Sequence, residues 1–132
     1  MSVFGAIGIS GSGLLAHRKW LDAVSDNIAN ISTVTGTDQA AFQARMVVVQ
    51  ADEYGEGGGV RVAGATFGDP EGRLVHEPDH PLADENGYVR YPDMDLGDQM
   101  VQLMIAQRAY QANLTVVDRA RDTYMHALQI GK

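Results

Sequence analysis

The chain has 132 residues, 45% of them hydrophobic and 20% charged, which fits one globular folding unit rather than a disordered segment. It has no cysteine, so a disulfide framework and a thiolate metal site are both excluded. The net charge of -7 is uneven: residues 37 to 98 hold thirteen acidic and four basic side chains, residues 99 to 132 four basic and two acidic. An acidic middle argues against a phosphate backbone as ligand, and nucleic acid is not an expected partner.

Residues 1 to 13 contain four glycines and three serines. Each interior glycine costs a helix about 1 kcal/mol relative to alanine, so this tip is expected to be mobile until something binds it. The segment lacks a basic region before its apolar part and lacks a clear cleavage site, and no run of apolar residues is long enough for a transmembrane helix. From about Leu14 to Asn30 the pattern is helical. Ile7, Leu14, Leu21 and Ile28 fall seven apart, and Ser10, His17, Val24 and Ile31 fill the second row, the spacing of helices that wrap around one another. The helix is expected to stop by about residue 31, with Asn30 able to take a left-handed C-terminal position and Ser32 and Thr33 competing for backbone hydrogen bonds.

Phe42 to Gln50 is rich in valine and reads as a strand, as does Gly58 to Phe67, with a flexible YGEGGG turn at 54 to 59 between them. Arg73 to His76 and Gly87 to Tyr91 read as short strands separated by prolines and by the turn-forming Asn86-Gly87 pair. After Pro92, Asp93 or Asp95 can cap a last helix running to about Gln129, roughly 50 Å long. No internal repeat is visible. The fold class expected is α+β: long terminal helices packed as a coiled-coil-like pair, with a small loop-rich β module between them. The expected organisation is a discontinuous helical domain of residues 1–36 and 93–132, and a β-rich middle domain of residues 37–92.

The last helix carries two signals. Leu96, Leu103, Tyr110, Val117 and Tyr124 form one row of a heptad seam and Met100, Gln107, Leu114, Arg121 and Leu128 the other. Val101, Ile105, Ala109, Ala112 and Val116 form a second apolar stripe on the opposite side. A helix apolar on two faces needs two sets of neighbours, either the β module folding back over it or other subunits, and intersubunit packing is the reading favoured here. The interface expected from these patterns is Leu14, Leu21, Val24 and Ile28 on the first helix and Val101, Leu103, Ile105, Tyr110, Leu114 and Val117 on the last.

Chemistry-bearing patterns are weak. His76-Glu77-Pro78-Asp79-His80 matches the letters of a zinc-protease HExxH motif, but that motif needs both histidines on one helical face and Pro78 and Pro81 impose extended backbone. Gly8 to Gly13 lacks the Lys-Ser/Thr of a phosphate-binding loop. His17 lies on the apolar seam and His126 near a charged helix end, neither with an evident catalytic companion. Asn30 and Asn113 begin glycosylation sequons at a helix end and inside a helix, where backbone roles account for them better. Asp79, Asp84, Glu85, Asp93 and Asp95 lack the loop spacing of a calcium site and read as solvated surface, and Tyr54, Tyr88 and Tyr91 as small-core or interface residues. No catalytic residue, metal ligand or cofactor site is expected, and the protein is read as a non-enzyme.

Three segments carry a resemblance: SDNIANIS at 25 to 32, HPLADENGYVRYPD at 80 to 93 and RAYQANL at 108 to 114. Over essentially its whole length the chain resembles the bacterial flagellar basal-body rod proteins, in particular their short proximal-rod members. The motif residues are Asn27, Ala29 and Asn30 in the first segment, Pro81, Leu82, Asp84, Asn86, Gly87 and Tyr88 in the second, and Tyr110, Gln111 and Asn113 in the third. The linker Thr33 to Thr37 departs from the shorter Thr-x-Gly turn of most rod and hook relatives. The resemblance implies a structural subunit exported by the flagellar type III apparatus without a cleaved signal. It would assemble through its terminal helices into the tubular drive shaft that crosses the periplasm, with the β module outside. Its implied partners are copies of itself, other rod proteins, and the adapter to the membrane ring and the ring itself, with no membrane insertion and no cofactor. Two alternatives drawn from the residues are a self-contained secreted adaptor domain and a zinc hydrolase using His76, Glu77 and His80.

Overall fold

The computed structural model describes residues 3–52 and 58–131. The elements in order are helix α1 (Val3–Asn30), strands β1 (Arg45–Ala51), β2 (Val60–Phe67), β3 (Arg73–His76) and β4 (Tyr88–Tyr91), and helix α2 (Leu96–Ile130). The fold is therefore α+β, two long helices flanking a small strand module. β1 pairs with β2, and β3 with β4. Among the described residues no helix is long and apolar enough to cross a membrane.

α1 begins at Val3, eleven residues before the strong helical pattern, so the glycine-rich tip expected to be mobile is helical. Packing offsets the propensity cost at the positions where small size is used. Gly13 is buried, and a Cβ there would lie 2.9 Å from Asn113 Nδ2. The Ser12 hydroxyl donates to the Ile9 carbonyl and accepts from the Val60 N–H at 3.1 Å. The end of α1 also differs from expectation. No described residue other than glycine has positive φ, so Asn30 is not left-handed. Its side chain instead folds back one turn and donates to the Asp26 carbonyl at 2.9 Å, while its own carbonyl, one of those a helix end leaves open, accepts from Thr33 N–H at 3.0 Å.

α2 starts where the sequence indicated. Asp95 is the cap: its carboxylate accepts from Asp98 N–H at 2.9 Å while its carbonyl accepts from Gln99 N–H at 3.1 Å. The YGEGGG turn lies largely outside the described residues. Its last two glycines have φ of 69° and 131°, and Gly59 O accepts from Asp52 N–H.

The chain forms two compact units. The first comprises residues 1–21, 47–64 and 104–132. In it α1 and α2 run antiparallel, since Phe4 meets Tyr124 edge-on at 5.4 Å between centroids and His17 meets Asn113 further along. Among its described residues Ser10, Gly13, Ala16 and Ala106 are buried, all small, which lets the two backbones approach closely.

The second unit comprises residues 22–46 and 65–103. Ala23, Val24, Asn27, Ala41, Val89 and Pro92 are buried in it. β3 and β4 pair antiparallel with Val75 opposite Val89 and His76 opposite Tyr88. The other edge of β4 is taken by the linker, because Thr35 and Arg90 exchange both backbone hydrogen bonds at 2.9 Å. The linker is thus pinned to the sheet at Thr35, with turns on either side of it. At Gly72, φ is +57° and a Cβ would collide with the Tyr91 carbonyl and the Ala41 methyl, so glycine is required there.

Candidate assembly surface

Asn27 is 2% exposed in the second unit. Its carboxamide pairs with one residue of the chain in the way a neighbouring strand would: Oδ1 accepts from Arg45 N–H at 2.8 Å and Nδ2 donates to Arg45 C=O at 3.0 Å. The second Nδ2 hydrogen goes to Gln99 Oε1 at 3.0 Å. The side chain therefore ties α1, the first residue of β1 and the first turn of α2 together with all its donors used. Arg45 adds an exposed ion pair to Asp26 at 3.2 Å. Gln99 was not singled out in the sequence, although it stands four residues before Leu103 on the same helix face. The other motif residues of this segment are Ala29, exposed, and Asn30, whose side chain bonds back to Asp26 and whose carbonyl accepts from Thr33 N–H.

The segment at 80 to 93 is built around Asp84. Asp84 Oδ1 accepts from Asn86 N–H and Tyr88 N–H, both at 2.9 Å, and Oδ2 accepts from the Thr37 hydroxyl at 3.1 Å. The backbone closes the same turn, with Tyr88 O accepting from Asp84 N–H and Asp84 O accepting from Gly87 N–H. Hydrogen bonding, above all from Tyr88 N–H, stabilises the charged carboxylate and holds its pKa below the usual value, against a smaller opposing effect of burial. Gly87, buried with φ of 79°, supplies the left-handed step. Pro81 and Leu82 are exposed beside it, Leu82 at 49%, and Tyr88 packs on His76 with centroids 5.0 Å apart and ring planes tilted by 59°.

The HExxH letters fall on the end of β3 and the turn after it, not on a helix. His76 packs on Tyr88, Glu77 accepts from the Tyr91 hydroxyl at 3.1 Å, and His80 Nδ1 accepts from Leu82 N–H at 3.1 Å. Burial of the Tyr91 hydroxyl, together with the Glu77 carboxylate, raises the Tyr91 pKa. Among the described residues no group of three His, Asp or Glu side chains is arranged to hold a metal ion.

In the first unit the third motif is only partly inward. Asn113 Nδ2 donates to the Ala109 carbonyl at 3.1 Å. His17 Nδ1 lies 2.7 Å from the Gly13 carbonyl, which only accepts, so Nδ1 carries a proton and its 3.3 Å approach to Asn113 Nδ2 is a packing contact. Tyr110 is half-buried and Gln111 exposed.

The helices show which predicted interface residues are already covered. On α1, Val24 is buried and Leu14, Leu21 and Ile28 are half-buried. On α2, Leu103, Tyr110 and Val117 are half-buried, and the residues shielded beside them are Gln99, Ala106, Asn113 and Ala120, together with Ala109 of the second stripe. The row Met100, Gln107, Leu114, Arg121 and Leu128 is exposed, Leu114 at 43% and Leu128 at 50%. Val101, Ile105 and Val116 of the second stripe are 48%, 47% and 45% exposed. Ala106 is the one buried residue of α2 among those described.

Similarity to known proteins gives the family. The family model described as flagellar basal body rod FlgEFG protein C-terminal matches residues 85–130. The flagellar basal-body rod protein FlgC of Salmonella typhimurium is 39% identical over the full length of both chains. FlgC of Bacillus subtilis is 32% identical, again over all of both chains, and FlgC of Borreliella burgdorferi 31% over 98% of each. The chain belongs to the flagellar basal-body rod protein FlgC family.

Proposed function

We propose that the protein is a structural subunit of the flagellar basal-body rod, working by packing rather than by reaction. The full-length identity to rod proteins carries this reading. The exposed apolar residues of α2 support it, since a helix that leaves Val101, Ile105, Leu114 and Val116 open has surface available for neighbours.

In this reading residues 1–36 and 93–132 form the helical core of a tube that transmits torque and lines part of the export channel, and residues 37–92 form its outer module. Leu14, Leu21, Val24, Ile28, Val101, Leu103, Ile105, Tyr110, Leu114 and Val117 carry helix packing within and between subunits. The partners are other copies, other rod proteins and the adapter to the membrane ring; the subunit reaches the basal body through the flagellar export apparatus without a cleaved signal peptide. The protein is not an enzyme.

Leu114→Ala tests the interface. Truncating a leucine that becomes buried between subunits costs about 2 to 5 kcal/mol per contact, repeated around the polymer. The variant is expected to be exported normally yet give non-motile cells lacking complete rods when it replaces the wild-type chain. Full motility with normal basal bodies would remove Leu114 from the interface.

A further inference from the structure

Strand β1 has a free edge. It pairs with β2 alone, and the backbone groups of successive residues in a strand point to opposite edges. Ala44, just before β1, accepts from Gly68 N–H, and Asp52, just after it, donates to the Gly59 carbonyl, so both face β2. Val47, Val49 and Ala51, on the other alternation, therefore turn their N–H and C=O groups away from β2. Arg45 shares that alternation, and its two backbone groups are met by the Asn27 carboxamide. The next three rungs have no partner among the described residues.

The one occupied rung shows what seats on this edge, because it is filled by an amide, the group a polypeptide backbone supplies. The rest of the strand is open to such a partner. From Met46 to Ala51 it carries no charge and no proline, two of the devices that keep an edge from pairing with another chain. Val49 is 54% exposed and Ala51 is exposed as well. Val47 and Val49 also form one wall of a largely apolar cleft of about 280 Å³, with Ala16, His17, Trp20 and Val60 around it.

We infer that two copies of the chain pair antiparallel through β1, with Val49 at the two-fold axis. The second copy is the occupant because a strand turned on itself sets its free row against an identical free row, with no like charges opposed. One register uses the whole row. With Val49 opposite Val49, Val47 stands opposite Ala51 in both directions, and each such pair exchanges both N–H···O bonds. The ladder stops short of Arg45, which Asn27 already holds. Side chains directly opposite share a face, so Val49 and Ala51 of the second copy stand beside Val49 and Val47 at the cleft. The contact closes on itself rather than propagating, which makes it a state of the free subunit, separate from the helix packing proposed for the rod. A single strand pair is a small interface, and the dimer is accordingly weak.

The test uses the purified full chain, which has no cysteine of its own. Under mild oxidation Val49→Cys is expected to give a disulfide-linked dimer, since the Cα atoms of such a pair lie about 5.5 Å apart, within disulfide reach. Val47→Cys and Ala51→Cys should each stay monomeric alone and cross-link to one another when mixed. Val49→Pro removes an N–H that the β1–β2 ladder does not use, a change an edge strand tolerates, and should weaken dimerisation in sedimentation at least tenfold. The cross-links need no proline variant, so they decide the matter even if that variant misfolds. The pairing is overturned if Val49→Cys gives no dimer, or if Val47→Cys or Ala51→Cys alone cross-links as well as Val49→Cys. A folded Val49→Pro chain that associates like the wild type, or a wild-type chain still monomeric at about 1 mM, would overturn it too.

Discussion

At the residue scale, two polar side chains do structural work that their sequence neighbours do not announce. Asn27 acts as a one-residue strand against Arg45, eighteen positions away, and replaces water for a backbone N–H and C=O that would otherwise be unpaired. Asn27→Leu keeps the helix but orphans both groups. The expected loss is about 2 kcal/mol, read as a lower denaturant midpoint, because an unsatisfied part-buried polar group costs more than the net worth of its hydrogen bond. An unchanged midpoint would show that water restores both bonds. Asp84 yields a pH prediction. Folding lowers its pKa, so in acid the unfolded chain takes up this proton before the folded one. Its stabilisation is therefore complete above the unfolded value of about 3.9 and is lost as pH falls through the folded value below it. Asp84→Asn keeps an acceptor and removes the titration, so between neutral pH and pH 3 the variant should lose less stability than the wild type. Equal acid sensitivity would assign that loss to other carboxylates.

At the element scale, what the sequence revealed depended on whether the signal was local. The Asp95 cap, the two strands beside Asn86-Gly87 and the length of α2 were all readable, because capping, turn chemistry and periodicity act over a few residues. The start of α1 was not readable, because the glycine penalty is local while its compensation comes from the distant Asn113 and Val60. The covered face of α2 was half readable. Leu103, Tyr110 and Val117 stood out, but the residues shielded beside them are Ala106, Asn113 and Ala120, too small or polar to mark a seam. The bridge at Thr35 was hidden for the same reason, its partner Arg90 lying far along the chain. Glycine position gives the matching prediction. Gly8 has open space where a Cβ would go, so Gly8→Ala should gain about 1 kcal/mol of helix stability. Gly13→Ala would set its methyl 2.9 Å from Asn113 Nδ2, and the displacement required should cancel that gain or exceed it. Thermal unfolding of the two variants separates the cases; equal stabilisation would mean that Asn113 yields freely.

At the scale of the whole molecule, the polar networks and the apolar surface divide the labour. The hydrogen bonds of Asn27 and Asp84 and the Thr35–Arg90 bridge are internal to the subunit, while Val101, Ile105, Leu114 and Val116 remain 43% to 48% exposed. Aggregation or assembly is the usual fate of such open side chains, and the relationship to rod proteins favours assembly. The motif residues recognised in the sequence fall mostly on the internal networks, and the expected interface on the apolar rows. The family resemblance therefore rests on self-contained parts of the subunit, and the surfaces proposed for assembly rest on helical periodicity. The most direct test is imaging of isolated basal bodies at side-chain resolution. The account predicts this chain within the rod, with Ile105, Leu114 and Val116 buried against neighbouring subunits. A chain absent from the rod, or present with that face of α2 open to solvent, would contradict it.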